Sequence, residues 1–97
     1  MQRVEEAEPL YRQSLELKRA TLGDRHPSVT IGLNNLGLFL ATRRGQVREG
    51  ERLVREAIRL DRENLGVRHS YVAEGLRNLG SILAQAGQFA EAEVALR

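Results

Sequence analysis

Residues 22–29 read Leu22-Gly23-Asp24-Arg25-His26-Pro27-Ser28-Val29, and residues 65–72 read Leu65-Gly66-Val67-Arg68-His69-Ser70-Tyr71-Val72. The two stretches lie 43 positions apart, and the same spacing relates Gly32-Leu33-Asn34-Asn35-Leu36-Gly37 to Gly75-Leu76-Arg77-Asn78-Leu79-Gly80. Self-similarity with a period of about 20–50 residues is typical of solenoids, in which each unit buries its apolar face only against its neighbours. The repeat therefore predicts an array that offers extended surface for binding.

Apolar residues within the repeat follow the periodicity of amphipathic helices. One stripe consists of Val29, Leu33, Leu36, Gly37 and Leu40, and the next unit repeats it as Val72, Leu76, Leu79, Gly80 and Leu83. Glycines at 23, 45, 66 and 87 mark helix ends, Pro27 suits a first turn and Ser70 is the expected cap of its helix. We expect an all-α fold of about five antiparallel helices and no sheet, at roughly 3–22, 27–43, 46–64, 70–86 and 88–97. Pro9 favours a regular start of the first helix nearer residue 8.

The amino-acid composition limits the kinds of site and function that the chain can have. The 97 residues carry a net charge of +2 and no Cys, which excludes disulfides and thiolate metal sites. No apolar run approaches the roughly 18 residues of a membrane span and no signal peptide opens the chain, so we expect a cytoplasmic location. Lys18 is the only lysine beside many arginines, which suggests a bacterial coding sequence. Acidic residues alternate with these arginines, which favours a solvated helix surface over a nucleic-acid footprint.

The register of the repeat defines one domain made of a single array. It divides into a partial unit at 1–22, a unit at 23–65 and a partial unit at 66–97. The chain starts on the second helix of one unit and ends within the second helix of another. We therefore expect a piece of a longer array.

Residues at fixed offsets in both units resemble the tetratricopeptide repeat. They are Leu36-Gly37, Leu40, Gly45, Gly50, Val54 and Ala57 in one unit, and Leu79-Gly80, Leu83, Gly87, Phe89, Ala92 and Leu96 in the next. The long unit, with Leu22-Gly23 before His26-Pro27, looks like the variant of kinesin light chains, which many bacterial proteins share. The resemblance implies an alpha-alpha superhelix that serves as a non-catalytic protein-interaction scaffold. Gly50 departs from the family pattern, which usually has Ala there.

The first helix of each unit is expected to line the concave side of such a solenoid. The resulting candidate groove consists of Ile31, Asn34, Asn35 and Leu38 in one unit and Glu74, Arg77, Asn78 and Ser81 in the next. Asn35 and Asn78 are equivalent, and their amides suit the backbone of an extended peptide. The resemblance adds that peptide-binding members use an Asn at this slot, although an Asn could equally bond a neighbouring helix. Arg77 is the expected specificity residue, because its guanidinium can clasp a carboxylate.

Residues suited to catalysis are scarce. His26 and His69 occupy equivalent inter-helix turns, which favours a structural role, and neither has further metal ligands at helical spacing. The Glu49–Glu51 and Glu91–Glu93 pairs are two residues apart and do not share a helix face. We therefore expect no enzyme activity, no cofactor and no bound metal.

Three hypotheses follow for function. The first is a scaffold that binds an extended peptide or a partner helix in its concave groove. The second is an architectural or sensor segment of a larger bacterial signalling or regulatory protein. The third and weakest is nucleic-acid binding through Arg43, Arg44 and Arg48. Open ends of the array, with uncovered apolar residues, also predict a homo-oligomer formed by end-to-end stacking or by exchange of helices.

Overall fold

The structure, a computed structural model, describes the backbone of residues 2–95 and the side chains of residues 3–88. This part of the chain forms four helices connected by short turns, and it contains no strand. The helices are α1 (Gln2–Leu22), α2 (Pro27–Arg43), α3 (Val47–Leu65) and α4 (Ser70–Ala95). Helix α2 packs against α1 and α3, and α4 packs against α3 and α2. The all-helical prediction is confirmed for the described residues.

The first three predicted helices agree with the structure to within one residue at every boundary. Helix α1 nevertheless begins at Gln2, so the expected start near residue 8 is wrong. Pro9 lies inside this helix, where its ring removes one backbone hydrogen bond without ending the element. Pro27 occupies the first turn of α2, as predicted.

The predicted break at Gly87 is wrong. Helix α4 runs without interruption from Ser70 to Ala95, so the separate helix expected at 88–97 is not formed within the described residues, and positions 96–97 lie outside them. The three glycines that do end helices, Gly23, Gly45 and Gly66, have φ of 83°, 70° and 95°. Gly87 has no positive φ. One interior glycine costs a helix only about 1 kcal/mol, and the Ala-Gln-Ala run before it has high helix propensity.

Both histidines cap helices. The His26 Nδ1 accepts a hydrogen bond of 3.1 Å from the backbone N–H of Ser28, and the His69 Nδ1 accepts one of 3.1 Å from Tyr71. Ser70 was expected to cap α4, but the helix starts at Ser70 and His69 holds the capping position. The repeated histidine is therefore a structural residue, as its position between helices predicts.

Removal of these caps should destabilise the fold. We expect His26→Ala and His69→Ala each to lower the free energy of unfolding by about 0.5–2 kcal/mol, because each leaves a first-turn N–H without its acceptor. His→Asn at the same positions should restore most of the loss, since Asn is a good cap. Urea denaturation followed by circular dichroism measures both. Equal stability of the Ala and Asn variants would contradict the capping role.

Leucines of α1, α2 and α3 form the larger of two core clusters. It contains Leu15, Val29, Leu33, Leu36, Leu40, Leu53, Ala57 and Leu60. The second cluster joins α2, α3 and α4 and contains Ala41, Val54, Ile58, Val72 and Ile82. Helix α2 is thus covered on both sides, whereas α4 is covered on one side, and its Leu76 and Leu83 remain largely exposed.

Helices α1 and α3 are connected by ion pairs that reach past α2. Arg12 Nη2 lies 3.1 Å from Glu49 Oε1, and Arg19 Nη2 lies 2.7 Å from Glu56 Oε2. Glu8 accepts from Arg12 Nε and from Arg44 Nε, each at 3.0 Å. The hydrogen bond from Arg12, with a further one from Arg44, holds the pKa of the Glu8 carboxyl below its ordinary value of 4.5.

The lowered pKa of Glu8 makes the stability of the fold depend on pH in the acidic range. Because the pKa is depressed in the folded state, the stabilisation is complete above pH 4.5 and is lost as pH falls through the lower, folded-state pKa. We expect Glu8→Gln to lower stability by at most about 1 kcal/mol at neutral pH, and the difference should shrink as the pH falls below 4.5. Glu5→Gln, at an exposed site in the first turn, is the control. A Glu8→Gln effect that does not shrink with falling pH would contradict this assignment.

Candidate functional site

A pocket of about 250 Å³ lies where α2 and α4 run side by side, and α3 contributes one residue. Its lining residues are Ile31, Asn34, Asn35, Asp61, Tyr71, Glu74 and Asn78. Five of them, Ile31, Asn34, Asn35, Glu74 and Asn78, belong to the groove predicted from the sequence. The repeat explains this, because the equivalent helices α2 and α4 present equivalent positions to one another.

The other three predicted groove residues lie elsewhere. Leu38 lines a neighbouring depression between α1 and α2, and Asn35 borders both cavities. Arg77 is exposed and donates to Glu74 Oε2 at 3.3 Å, while Ser81 is exposed one turn further along α4. The two depressions share Asn35 of α2 as a lining residue. Arg77 and Ser81 line neither of them.

The amides within the pocket differ in their surroundings. Asn34 is buried, and Asn78 Nδ2 approaches its Oδ1 at 3.5 Å, which is a long contact for a hydrogen bond. Asn34 therefore contributes to the packing of α2 against α4. The side chain of Asn35 is exposed and has no hydrogen-bond partner among the described residues. It is the amide most accessible to a ligand.

Asp61 and Tyr71 line the pocket but were missed by the sequence reasoning. Asp61 follows Val54 and Ile58 at helical spacing, so it lies on the apolar stripe of α3 and only 2% of its surface is exposed. That position was a detectable signal, because a carboxylate on a buried stripe is unusual. Comparison of the repeated units did not point to Asp61, because the equivalent position in α1 is Lys18. Tyr71 stands beside His69, with ring centroids 4.9 Å apart.

The polar side chains around the pocket determine which groups it could bind. No group of three or more His, Asp or Glu side chains within the described residues could hold a metal ion. Both histidines use Nδ1 as a helix cap. Amides, carboxylates and one tyrosine can instead bind polar or charged groups of a ligand. Among the described helices, none combines the length and apolar character needed to cross a bilayer.

Comparison with known proteins identifies the repeat. A family model described as tetratricopeptide repeat matches residues 30–97, and a second model with the same description matches residues 1–28. No curated protein matches the chain. The matched region includes α3, α4 and nearly all of α2, which together form the pocket. With its 43-residue period, its helical architecture and these matches, the chain belongs to the tetratricopeptide repeat family.

Proposed function

We propose that this array holds an extended peptide segment of a partner protein in the groove between α2 and α4. Tetratricopeptide repeats are generally protein–protein interaction modules and typically non-catalytic scaffolds. The observation that carries the proposal is the pocket itself, in which residues of two equivalent helices converge. A second depression, between α1 and α2, shares Asn35 with the pocket and includes Leu38, and together the two would hold an extended chain across α2.

Two amides would provide the contacts to the peptide backbone. Asn35 is exposed, and Asn78 has only one long contact, to Asn34. An amide can donate to a peptide carbonyl and accept from a peptide N–H at once, so recognition would depend little on the ligand's side chains. Ile31 and Leu38 add apolar surface on α2.

A peptide selected from a random displayed library on the purified protein tests this function. Asn35→Ala should weaken binding of that peptide about 3–10-fold, the loss expected for one hydrogen bond of roughly 0.5–1.5 kcal/mol. Thr21→Ala, on α1 outside the groove, is the control and should leave the affinity unchanged. Undiminished binding by both Asn35→Ala and Asn78→Ala would contradict the groove and favour an architectural segment.

Nucleic-acid binding has less support. Arg44, the middle member of the arginine cluster, is engaged by Glu8 at 3.0 Å, which leaves Arg43 and Arg48. Binding through phosphates would weaken steeply with added salt. A titration of single- and double-stranded oligonucleotides at two ionic strengths distinguishes this alternative. The kinesin light chain-like variant, a bacterial source and a cytoplasmic location stay predictions from the sequence.

Self-association is a further part of the proposal. Leu10 and Leu17 of α1 are 64% and 65% exposed, yet their equivalents one unit later, Leu53 and Leu60, are buried. On α4, Leu76 and Leu83 are exposed where Leu33 and Leu40 of α2 are buried. The exposed face of α1 is thus equivalent, by the repeat, to the face of α3 that packs against α2. End-to-end stacking of α1 on α4 of another copy would cover both faces.

Light scattering over a range of concentrations checks this association. We expect a mass above that of a monomer, which Leu17→Gln should reduce. Val67→Gln replaces an equally exposed apolar residue in the turn before α4 and should have no effect. A concentration-independent monomer mass for the unmodified chain would refute the stacking.

A further inference from the structure

Asp61 is a carboxylate on the buried stripe of α3, and only 2% of its surface is exposed. No ion pair or side-chain hydrogen bond joins it to the described residues, and none of the buried side-chain oxygens there lacks a partner, so its carboxylate keeps contact with solvent at the pocket. Removing a charged group from water without pairing it is costly, so buried carboxylates are normally paired. Asp61 is found at the wall of an open pocket, where a ligand can reach it.

The other polar groups that line this pocket can also interact favourably with a cation, as the Asp61 carboxylate can. Glu74 adds a second carboxylate, and the Oδ1 atoms of the pocket amides add neutral acceptors. None of the seven lining residues is Lys or Arg. Glu74 pairs with the exposed Arg77, whereas no ion pair within the described residues involves Asp61. The pocket is therefore polarised toward a positively charged group.

The size and shape of the pocket restrict that cation further. A volume of about 250 Å³ is below the roughly 300–1,000 Å³ of sites for drug-sized ligands, and it would hold on the order of eight waters. A single long side chain fits such a space. Tyr71 also lines the pocket, and aromatic rings attract cations, most often the guanidinium of arginine.

We propose that this pocket binds an arginine side chain of the peptide that occupies the groove. The inference rests on the proposed peptide-binding function and adds its sequence preference. The planar guanidinium can donate two parallel hydrogen bonds to the Asp61 carboxylate and lie against Tyr71. It is also more weakly hydrated than an ammonium, so it enters a largely buried site at a smaller desolvation cost than lysine does.

Three short peptides test the preference. The probes are acetyl-Ala-Ala-Arg-Ala-Ala-amide and its counterparts with lysine or citrulline, which is the neutral isostere of arginine. Amide chemical shifts of the isotope-labelled protein report weak binding residue by residue. The arginine peptide should bind at least tenfold more tightly than the citrulline peptide, and the lysine peptide should fall between them. Equal affinity for arginine and citrulline would overturn the inference.

Variants of the protein provide the second arm. Asp61→Asn keeps the shape of the side chain and should reduce the affinity for the arginine peptide at least tenfold, with no loss for citrulline. Glu63→Gln removes an exposed carboxylate from the same helix outside the pocket and should change neither. Without peptide, Asp61→Asn should melt at the same temperature as the unmodified protein or higher, since an unpaired buried charge is gone. A clear fall in melting temperature would make Asp61 structural and overturn the assignment.

The inference and the proposed function fail in different ways. Library-selected peptides that occupy the groove without any arginine would overturn the preference and leave the groove intact. Selected peptides that shift only amides away from α2 and α4 would overturn both.

Discussion

Leu33→Ala is expected to lower the free energy of unfolding by about 2–5 kcal/mol, because it removes a fully buried side chain from the middle of the larger core cluster. For a domain of this size that corresponds to a fall in melting temperature of roughly 4–8 °C for each kcal/mol. Stabilities of small domains are themselves modest, so the variant should be close to unfolding at physiological temperature. Thermal and urea denaturation followed by far-ultraviolet circular dichroism measures the change.

The repeat supplies a matched control for this substitution. Leu76 stands 43 residues after Leu33 in the equivalent position of α4, but 45% of its surface is exposed. Leu76→Ala should therefore cost less than about 1 kcal/mol, close to the range of ordinary surface changes. The comparison is made at a concentration at which light scattering gives the monomer mass, because stacking of another copy on α4 would cover Leu76. Similar losses for both variants under those conditions would show that α4 is covered as fully as α2 within one chain, and would contradict the packing described here.

Gly37→Ala is expected to destabilise the fold by about 1–3 kcal/mol, even though Ala is the better helix former. A Cβ at position 37 would lie 2.8 Å from the Gly50 carbonyl oxygen and 2.8 Å from Val54 Cγ2. Backbone atoms of α3 cannot yield as a flexible side chain can. The two helices would have to separate, which opens the core between them.

The equivalent substitution on α4 should have the opposite sign. A Cβ at Gly80 meets no described atom within 4 Å, so Gly80→Ala gains helix propensity without a clash. We expect it to raise stability by roughly 0.5–1 kcal/mol. Denaturation of both variants side by side gives the comparison. Stabilisation by Gly37→Ala would contradict the close approach of α2 and α3.

These glycines illustrate what the sequence could and could not reveal. The sequence pattern places both Gly37 and Gly80 on the apolar stripes of their helices, and it does not show that only Gly37 lies against another described helix. Gly50 was noted only as a departure from the family pattern, which usually has Ala there, whereas its missing side chain leaves room for Gly37 and Ala41. Helix propensity is a local property that the sequence displays directly. The distance between two helices depends on residues far apart in the chain, and no single-helix pattern contains it.

The helix boundaries likewise depend partly on the local sequence and partly on packing between distant residues. Gly23, Gly45 and Gly66 end helices where the pattern predicted, since each adopts the positive φ that glycine tolerates best. Gly87 lies in a run of strong helix formers, and α4 continues through it. A glycine permits a turn but does not impose one. Whether the chain turns depends on the packing available to the segment that follows.

The candidate site was predictable to the extent that it repeats. The groove residues of α2 and α4 could be predicted because they occupy equivalent helix positions that the apolar core stripe does not use. Asp61 could not be found in that way, because it comes from α3 and its equivalent in α1 is a lysine. In a repeat protein, candidate functional residues can therefore lie at positions where the repeated units differ in sequence.

The central claim, a peptide-binding groove between α2 and α4, is tested most directly by mapping a bound peptide on the labelled protein. Titration of a library-selected peptide should shift the backbone amides around Ile31, Asn35, Tyr71 and Asn78, together with the side-chain amides of Asn35 and Asn78. Amides around Arg55 and Arg59 on α3, outside the groove, should stay in place. Shifts confined to α3, or to the Arg43–Arg48 region, would contradict the account.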